Sequence, residues 1–123
     1  MKTNLIQTLV RVVCLLAVFA GAPLAQASLI VKTNNTASLN TVTSWTNNVV
    51  PGAADIAQWD ATVSDVNNTT NTLGANVSWG GVKIVNPAGS ILINAGNTLT
   101  NGASGIDMTA ATVDLSFSPT FSH

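Results

Sequence analysis

The sequence predicts an all-β chain wound as a short β-solenoid, and three observations carry that prediction. From Leu73 onward, short apolar pulses alternate with turns rich in Gly, Asn and Pro. The pulses also echo one another. Val82-Lys83-Ile84, after Gly80-Gly81, recurs as Ile106-Asp107-Met108 after Gly105 at an offset of 24, and Ile91-Leu92-Ile93 recurs as Val113-Asp114-Leu115 at an offset of 22. An echo of strands alone at such a period is the pattern of stacked coils. Finally, Asn, Thr and Ser make up 37 of the 96 residues from Ser28 onward. Thr favours strands, while Asn and Gly favour tight turns. A disordered Asn/Thr-rich tract is the alternative, and the regular apolar pulses argue against it because disordered chains lack a core's worth of apolar residues.

The chain divides into three stretches. Residues 1–27 read as a secretory signal peptide: Lys2 and Arg11 form a positive start, Val12 to Ala22 is an apolar run, and Ala25-Gln26-Ala27 is a small-x-small cleavage site before Ser28. The run is shorter than the roughly 20 residues a membrane span needs. Its removal takes away the only cysteine, Cys14, and leaves Lys32 and Lys83 against Asp55, Asp60, Asp65, Asp107 and Asp114, a formal charge of −3. No basic patch remains, so a nucleic-acid partner is not expected. Without cysteine the fold cannot rely on the disulfides that often reinforce small secreted domains.

Residues 28–75 are expected to form an N-terminal β cap. Ser28 to Val31 reads as a strand and Lys32 to Thr43 as a loop. Val49-Val50-Pro51-Gly52 carries a type II turn signal, with Pro presetting φ and Gly accepting φ > 0. Asp55 is placed to accept a backbone N–H at that turn, and Asp55 to Trp59 follows as a strand. Thr62 to Leu73 reads as a strand, an Asn/Thr turn and a return. Residues 76–123 are expected to be solenoid rungs. Period-2 alternation points Val77 and Trp79, Val82 and Ile84, Ile91 and Ile93, Ile106 and Met108, and Val113 and Leu115 inward. The last seven residues show no rung pattern and no cap. Either Pro119 and its flanking Phe residues blunt the final edge, or, as we favour, the rungs open a longer stack. A bare last rung invites edge-to-edge self-association.

These segments, in their order, carry a resemblance. The succession SWTNNVVPGAADIAQWD (Ser44–Asp60), NTLGANVSWGGVKIVNPAGSILINAGNTLT (Asn71–Thr100) and GIDMTAATVDL (Gly105–Leu115), after a signal peptide, resembles the N-terminal part of bacterial proteins with autotransporter-associated β-strand repeats. The resemblance covers roughly Leu39 to Leu115, and VVPGAADIAQWD is its most specific part. It implies a right-handed parallel β-helix of the passenger type, exported from a Gram-negative cell to the cell surface, the outer membrane or the medium. Such proteins run to many hundreds of residues, so the mode of membrane translocation does not carry over, and the repeat brings no catalytic residues.

Catalytic chemistry finds little support. A Ser/His/Asp or Cys/His device needs a base held by the fold, yet the only His is His123 and no Cys follows Cys14. Asp107 and Asp114 are the carboxylates best placed to share a rung, as a glycosidase pair would require. Zinc spacing is absent, and Asp60 and Asp65 offer at most a weak calcium site. No cofactor is expected. Asn34, Asn67, Asn68 and Asn76 stand in N-x-S/T frames, which in a bacterial chain reflect Asn/Thr richness. The expected role is therefore a secreted or cell-surface structural or adhesive β-helix segment, not an enzyme, whose partners would be surface polysaccharide or other cell-surface proteins. The alternative is an extracellular carbohydrate-binding module that stacks sugars on exposed Trp45, Trp59 or Trp79, although Trp more often carries core area.

Overall fold

The computed structural model describes residues 26–123, and the positive start, the apolar run and Ala25 of the expected signal peptide lie outside them. Ala27 and Ser28 form an exposed, irregular lead-in to the first strand. The described residues form a β-solenoid of about four coils with no α-helix. Its strands are β1 (Leu29–Val31), β2 (Ile56–Trp59), β3 (Thr70–Asn71), β4 (Val77–Ile84), β5 (Ile91–Ile93), β6 (Thr98–Asp107), β7 (Leu115–Phe117) and β8 (Thr120–Ser122). One sheet runs β1-β2-β4-β6-β8 and the other β3-β5-β7, and every pairing between named strands is parallel.

Parallel stacking in register places like on like. One interior column is Ile30, Ala57, Val82 and Ile106, and another is Val77, Leu99 and Phe121. The outward column on the first sheet is Val31, Gln58, Lys83 and Asp107. Here Lys83 Nζ meets Asp107 Oδ2 at 3.0 Å, an exposed ion pair of the kind worth at most about 1 kcal/mol. Thr109 and Lys83 together hold the Asp107 carboxyl well below the usual carboxylate range, the Thr109 side chain and backbone N–H contributing most.

The two offsets seen in the sequence have a structural cause. Val77 to Trp79 pair with Leu99 to Asn101, but Gly81 pairs with Gly105, so two extra residues of β6 bulge out opposite Gly80. Before the bulge the coil repeat is 22, and after it the repeat is 24. The bulge also corrects one alignment. Ile91 and Ile93 pair with Leu115 and Phe117, not with Val113 and Leu115. A two-residue shift keeps every side chain on its own face, so the inward assignments survive while the partners change.

The stack starts earlier than Asn76. β1 and β2 already belong to the first sheet, and β3 opens the second, so residues 28–75 supply rungs as well as a cap. Thr62 to Leu73 does not double back as a hairpin. It makes a 3-10 turn at Val66–Asn68, where Asp65 accepts from the Asn67 N–H, and then β3 pairs parallel with β5. The turn after Val50 also differs from the type II expectation, because Gly52 does not adopt positive φ. It closes instead over Gly52 to Asp55. The Asp55 N–H donates to Gly52 O, and Asp55 Oδ2 accepts from the Gly52 N–H at 2.9 Å, the side-chain role expected of this aspartate.

The cap proper crosses the N-terminal end between Lys32 and Val50. Leu39 and Asn40 N–H groups donate to Thr72 and Leu73 carbonyls, and Trp45 bridges antiparallel to Lys32. Two 3-10 turns, Val42–Ser44 and Thr46–Asn48, carry the chain over the end, and Thr46 Oγ1 accepts from the Val31 N–H of the edge strand. Leu39 and Trp45 are driven fully into the interior.

Candidate interaction surface

The three tryptophans lie together inside the first coils and are not a sugar platform. Trp45, Trp59 and Trp79 are each at most 1% exposed, with ring centroids 5.5 to 6.0 Å apart and the two Trp45 pairs edge to face. Edge-to-face packing sets the positive rim of one ring against the negative face of the next. The Trp45 indole N–H donates to Leu39 O at 2.8 Å, which ties the cap to this cluster. Those of Trp59 and Trp79 have no hydrogen-bond partner among the described residues. Exposed Trp45, Trp59 and Trp79 as carbohydrate contacts is therefore an expectation the fold corrects: the rings are buried and have no face to offer a ligand.

Four of the five aspartates, Asp55, Asp60, Asp65 and Asp107, are engaged locally. Asp60 Oδ1 accepts from the Thr62 N–H and Oδ2 from Gln58 Nε2, while Asp65 Oδ1 takes the Asn67 backbone and side-chain N–H groups. Asp107 is bound to Lys83 and Thr109, and Asp114 does not join it. No group of three or more His, Cys, Asp or Glu side chains that could hold a metal ion occurs among the described residues. A shallow cleft of about 250 Å³ beside β1, bordered by Ser28, Leu29, Thr46, Asn47 and Asp55, is smaller than the clefts that usually bury a small-molecule ligand.

Lys32 is the polar residue that the pattern of the sequence does not reveal. Placed by β1 pairing through its own N–H to Gln58 O, it is fully buried, and Nζ donates to Thr33 O, Asn35 O and Asn35 Oδ1 at 2.8 to 2.9 Å. These three neutral oxygens come from the loop folded over it, and no carboxylate among the described residues pairs with it. Burial pushes its amine down from 10.5 to about 8. Between these two values the unfolded chain binds the proton and the folded chain does not, so stability rises with pH across that window. Thermal unfolding followed from pH 8 to 10.5 should show Tm increasing, and Lys32→Met should flatten that slope. A wild-type Tm that falls across the window would refute the assignment.

The apolar surface of the described residues lies on their last coil. Interior side chains under a following coil are closed off, as with Val82 at 1% and Leu99 at 0% exposure. Their register partners in the last coil are open, Ile106 at 43% and Phe121 at 39%. Met108, Val113, Leu115 and Phe117 are half-buried against the core beside them. Ile106 thus points to the interior as its alternation requires, but no coil among the described residues covers it. The outer edges of β7, β8 and the Gly105–Asp107 part of β6 have no strand beyond them among the described residues. Among the described residues, the cap therefore covers the first coil, while the last coil presents apolar side chains.

Comparison of the chain with protein-family models, with curated proteins and with solved structures finds no match.

Proposed function

We propose that the chain is a structural or adhesive segment of a secreted or cell-surface β-helix, without catalytic activity. The observation that carries this reading is the use made of its polar groups. Asp55, Asp60, Asp65 and Asp107 close turns and ladders, and the buried Lys32 holds the cap loop. The interior is filled by stacked apolar columns, and what is left to act on the surroundings is extent and surface. The signal peptide, with cleavage between Ala27 and Ser28, and the resemblance to autotransporter-associated β-strand repeat proteins belong to the same proposal. On that proposal the segment lies outside the cytoplasm of a Gram-negative cell, where it would meet surface polysaccharide or other surface proteins. A polysaccharide-cleaving role would rest on fold analogy alone.

The test is expression of the whole chain in a Gram-negative host. The expected product is found outside the cytoplasm, begins at Ser28 by mass, gives a β-type circular dichroism spectrum and releases no reducing ends from polysaccharides. A cytoplasmic product that retains residues 1–27, or a measurable rate of glycan cleavage, would overturn the reading.

A further inference from the structure

We infer that the cleft beside β1 receives the chain's own amino terminus, the Ser28 α-ammonium released by cleavage after Ala27, and pairs it with the Asp55 carboxylate. The inference rests on the cleavage proposed above. Hydrolysis of the Ala27–Ser28 peptide bond consumes one water and leaves a carboxylate on Ala27 and an ammonium on Ser28. The fold sets that nitrogen beside Asp55. The Ile56 N–H donates to Ser28 O at 2.8 Å, and Leu29 pairs with Ile56, so Ser28 stands opposite Asp55 one step before the pairing begins. Neighbouring strands lie about 4.8 Å apart, a spacing that a carboxylate and an ammonium can bridge directly. Ser28 and Asp55 also border the same cleft.

The Asp55 carboxylate has capacity to spare. Its Oδ2 accepts from the Gly52 N–H at 2.9 Å, while Oδ1 accepts no hydrogen bond among the described residues and no cationic side chain there stands against it. An ionised carboxylate offers about four acceptor positions. Asp55 is half-buried, and a partly buried pair is screened less than one in open water. Among the described residues it is the only titratable side chain bordering the cleft. The strand on its other side presents Gly80 and Gly81, whose N–H groups bind Asp55 O. The rest of the cleft suits a small occupant. Asn47 and Asn48 hold consecutive positive φ of 59° and 54°, a conformation that persists outside Gly only where the surroundings enforce it. It brings Thr46, Asn47 and Val49 to the rim shared with Ser28 and Leu29. A volume of about 250 Å³ is small for an organic ligand and sufficient for an ammonium with its waters. Pairing there adds a link between the first residue of the processed chain and the Gly52–Asp55 turn. The precursor, with an uncharged amide at Ser28, cannot form it.

The test uses the whole chain, exported and processed in a Gram-negative host, with the mass of the product recorded and its Ser28 resonances followed by NMR across the α-amino titration. A probe at one residue is needed because the Lys32 amine titrates in the same range. The Ser28 amine should titrate half a pH unit or more above the about 7.7–8.0 of an ordinary α-amino group. Asp55→Asn, which keeps an acceptor for the Gly52 N–H, should return it to that ordinary range. Asp114→Asn, which removes the same charge from the last described coil, should leave the raised value in place. The wild-type titration can refute the pairing by itself, so the inference stays testable where Asp55→Asn disturbs folding. A product that begins at Ser28 but titrates in the ordinary range, or a raised value that survives Asp55→Asn, would overturn the inference and leave the export reading intact. A product that retains residues 1–27 would overturn the export reading and the inference with it.

Discussion

Trp79→Ala is expected to lower unfolding free energy by about 3–5 kcal/mol, the usual loss for a buried aromatic truncated to a methyl group. Against a total of about 5–15 kcal/mol for a small domain, that is enough to leave much of the chain unfolded at 37 °C. The magnitude comes from position. Trp79 is fully buried, packs edge to face on Trp45 at 5.7 Å and tilted on Trp59 at 6.0 Å, and stands in register with the buried Asn101. The hole would open where the cap, the β2 coil and the β4 coil meet, and the two remaining rings cannot collapse to fill it. Trp79→Phe keeps most of the ring and removes an indole N–H that has no partner among the described residues, so its loss should be clearly smaller. Urea unfolding followed by circular dichroism measures both. A Trp79→Ala loss below about 1 kcal/mol would be typical of a surface site and would refute the cluster's central place.

Gly80→Ala is the second large effect, and it acts by crowding. A Cβ at Gly80 would stand 2.8 Å from the Ala54 carbonyl carbon and 3.0 Å from the carbonyl oxygens of Ala54 and Asp55. These are backbone atoms of the neighbouring coil and cannot swing aside as a side-chain tip would. The Gly80 N–H is also committed there, donating to Asp55 O at 2.7 Å, so moving the strand away to make room weakens that bond. Overpacking of this kind costs about 1–3 kcal/mol, and loss of the bond adds about 1 kcal/mol. Gly52→Ala is the matched control. Its Cβ would meet only Asp55 Oδ2, at an ordinary 3.4 Å, and its φ is not positive, so stability should change by no more than about 0.5 kcal/mol. Equal Tm values for Gly80→Ala and Gly52→Ala would show that the two coils do not approach this closely at Gly80.

Alternation makes the interior readable from the sequence alone. Val82, Ile84, Ile91 and Ile93 are buried as their period-2 pattern requires, and Ile106 faces the same way at the open end. Parity tells which face a side chain occupies, but it is silent about which residue lies beneath it. Ile91 is therefore alignable with Val113 as readily as with its true partner Leu115, two residues on. The early strands are hidden for a related reason. Leu29–Val31 and Ile56–Trp59 lie 27 residues apart, outside the 22–24 echo, because the cap loop lengthens that coil. Lys32 shows a different limit. Its acceptors are two carbonyls and one amide oxygen brought round by the Thr33–Asn35 loop, and a lysine in a polar stretch carries no mark of such a loop. The tryptophans, plausible as sugar platforms when read in isolation, are buried together where the cap meets the coils.

The uneven spread of buried side chains also gives the described coils a gradient of stability. Where each repeat touches only its neighbours, stability is close to a sum of coil terms and coil–coil interface terms. The largest buried side chains, the three Trp rings and Lys32, are concentrated at the capped end. Local opening should therefore cost most near the cap and least toward the last described coil. Amide hydrogen exchange is expected to show that gradient, slowest beside the tryptophan cluster and fastest in β7 and β8.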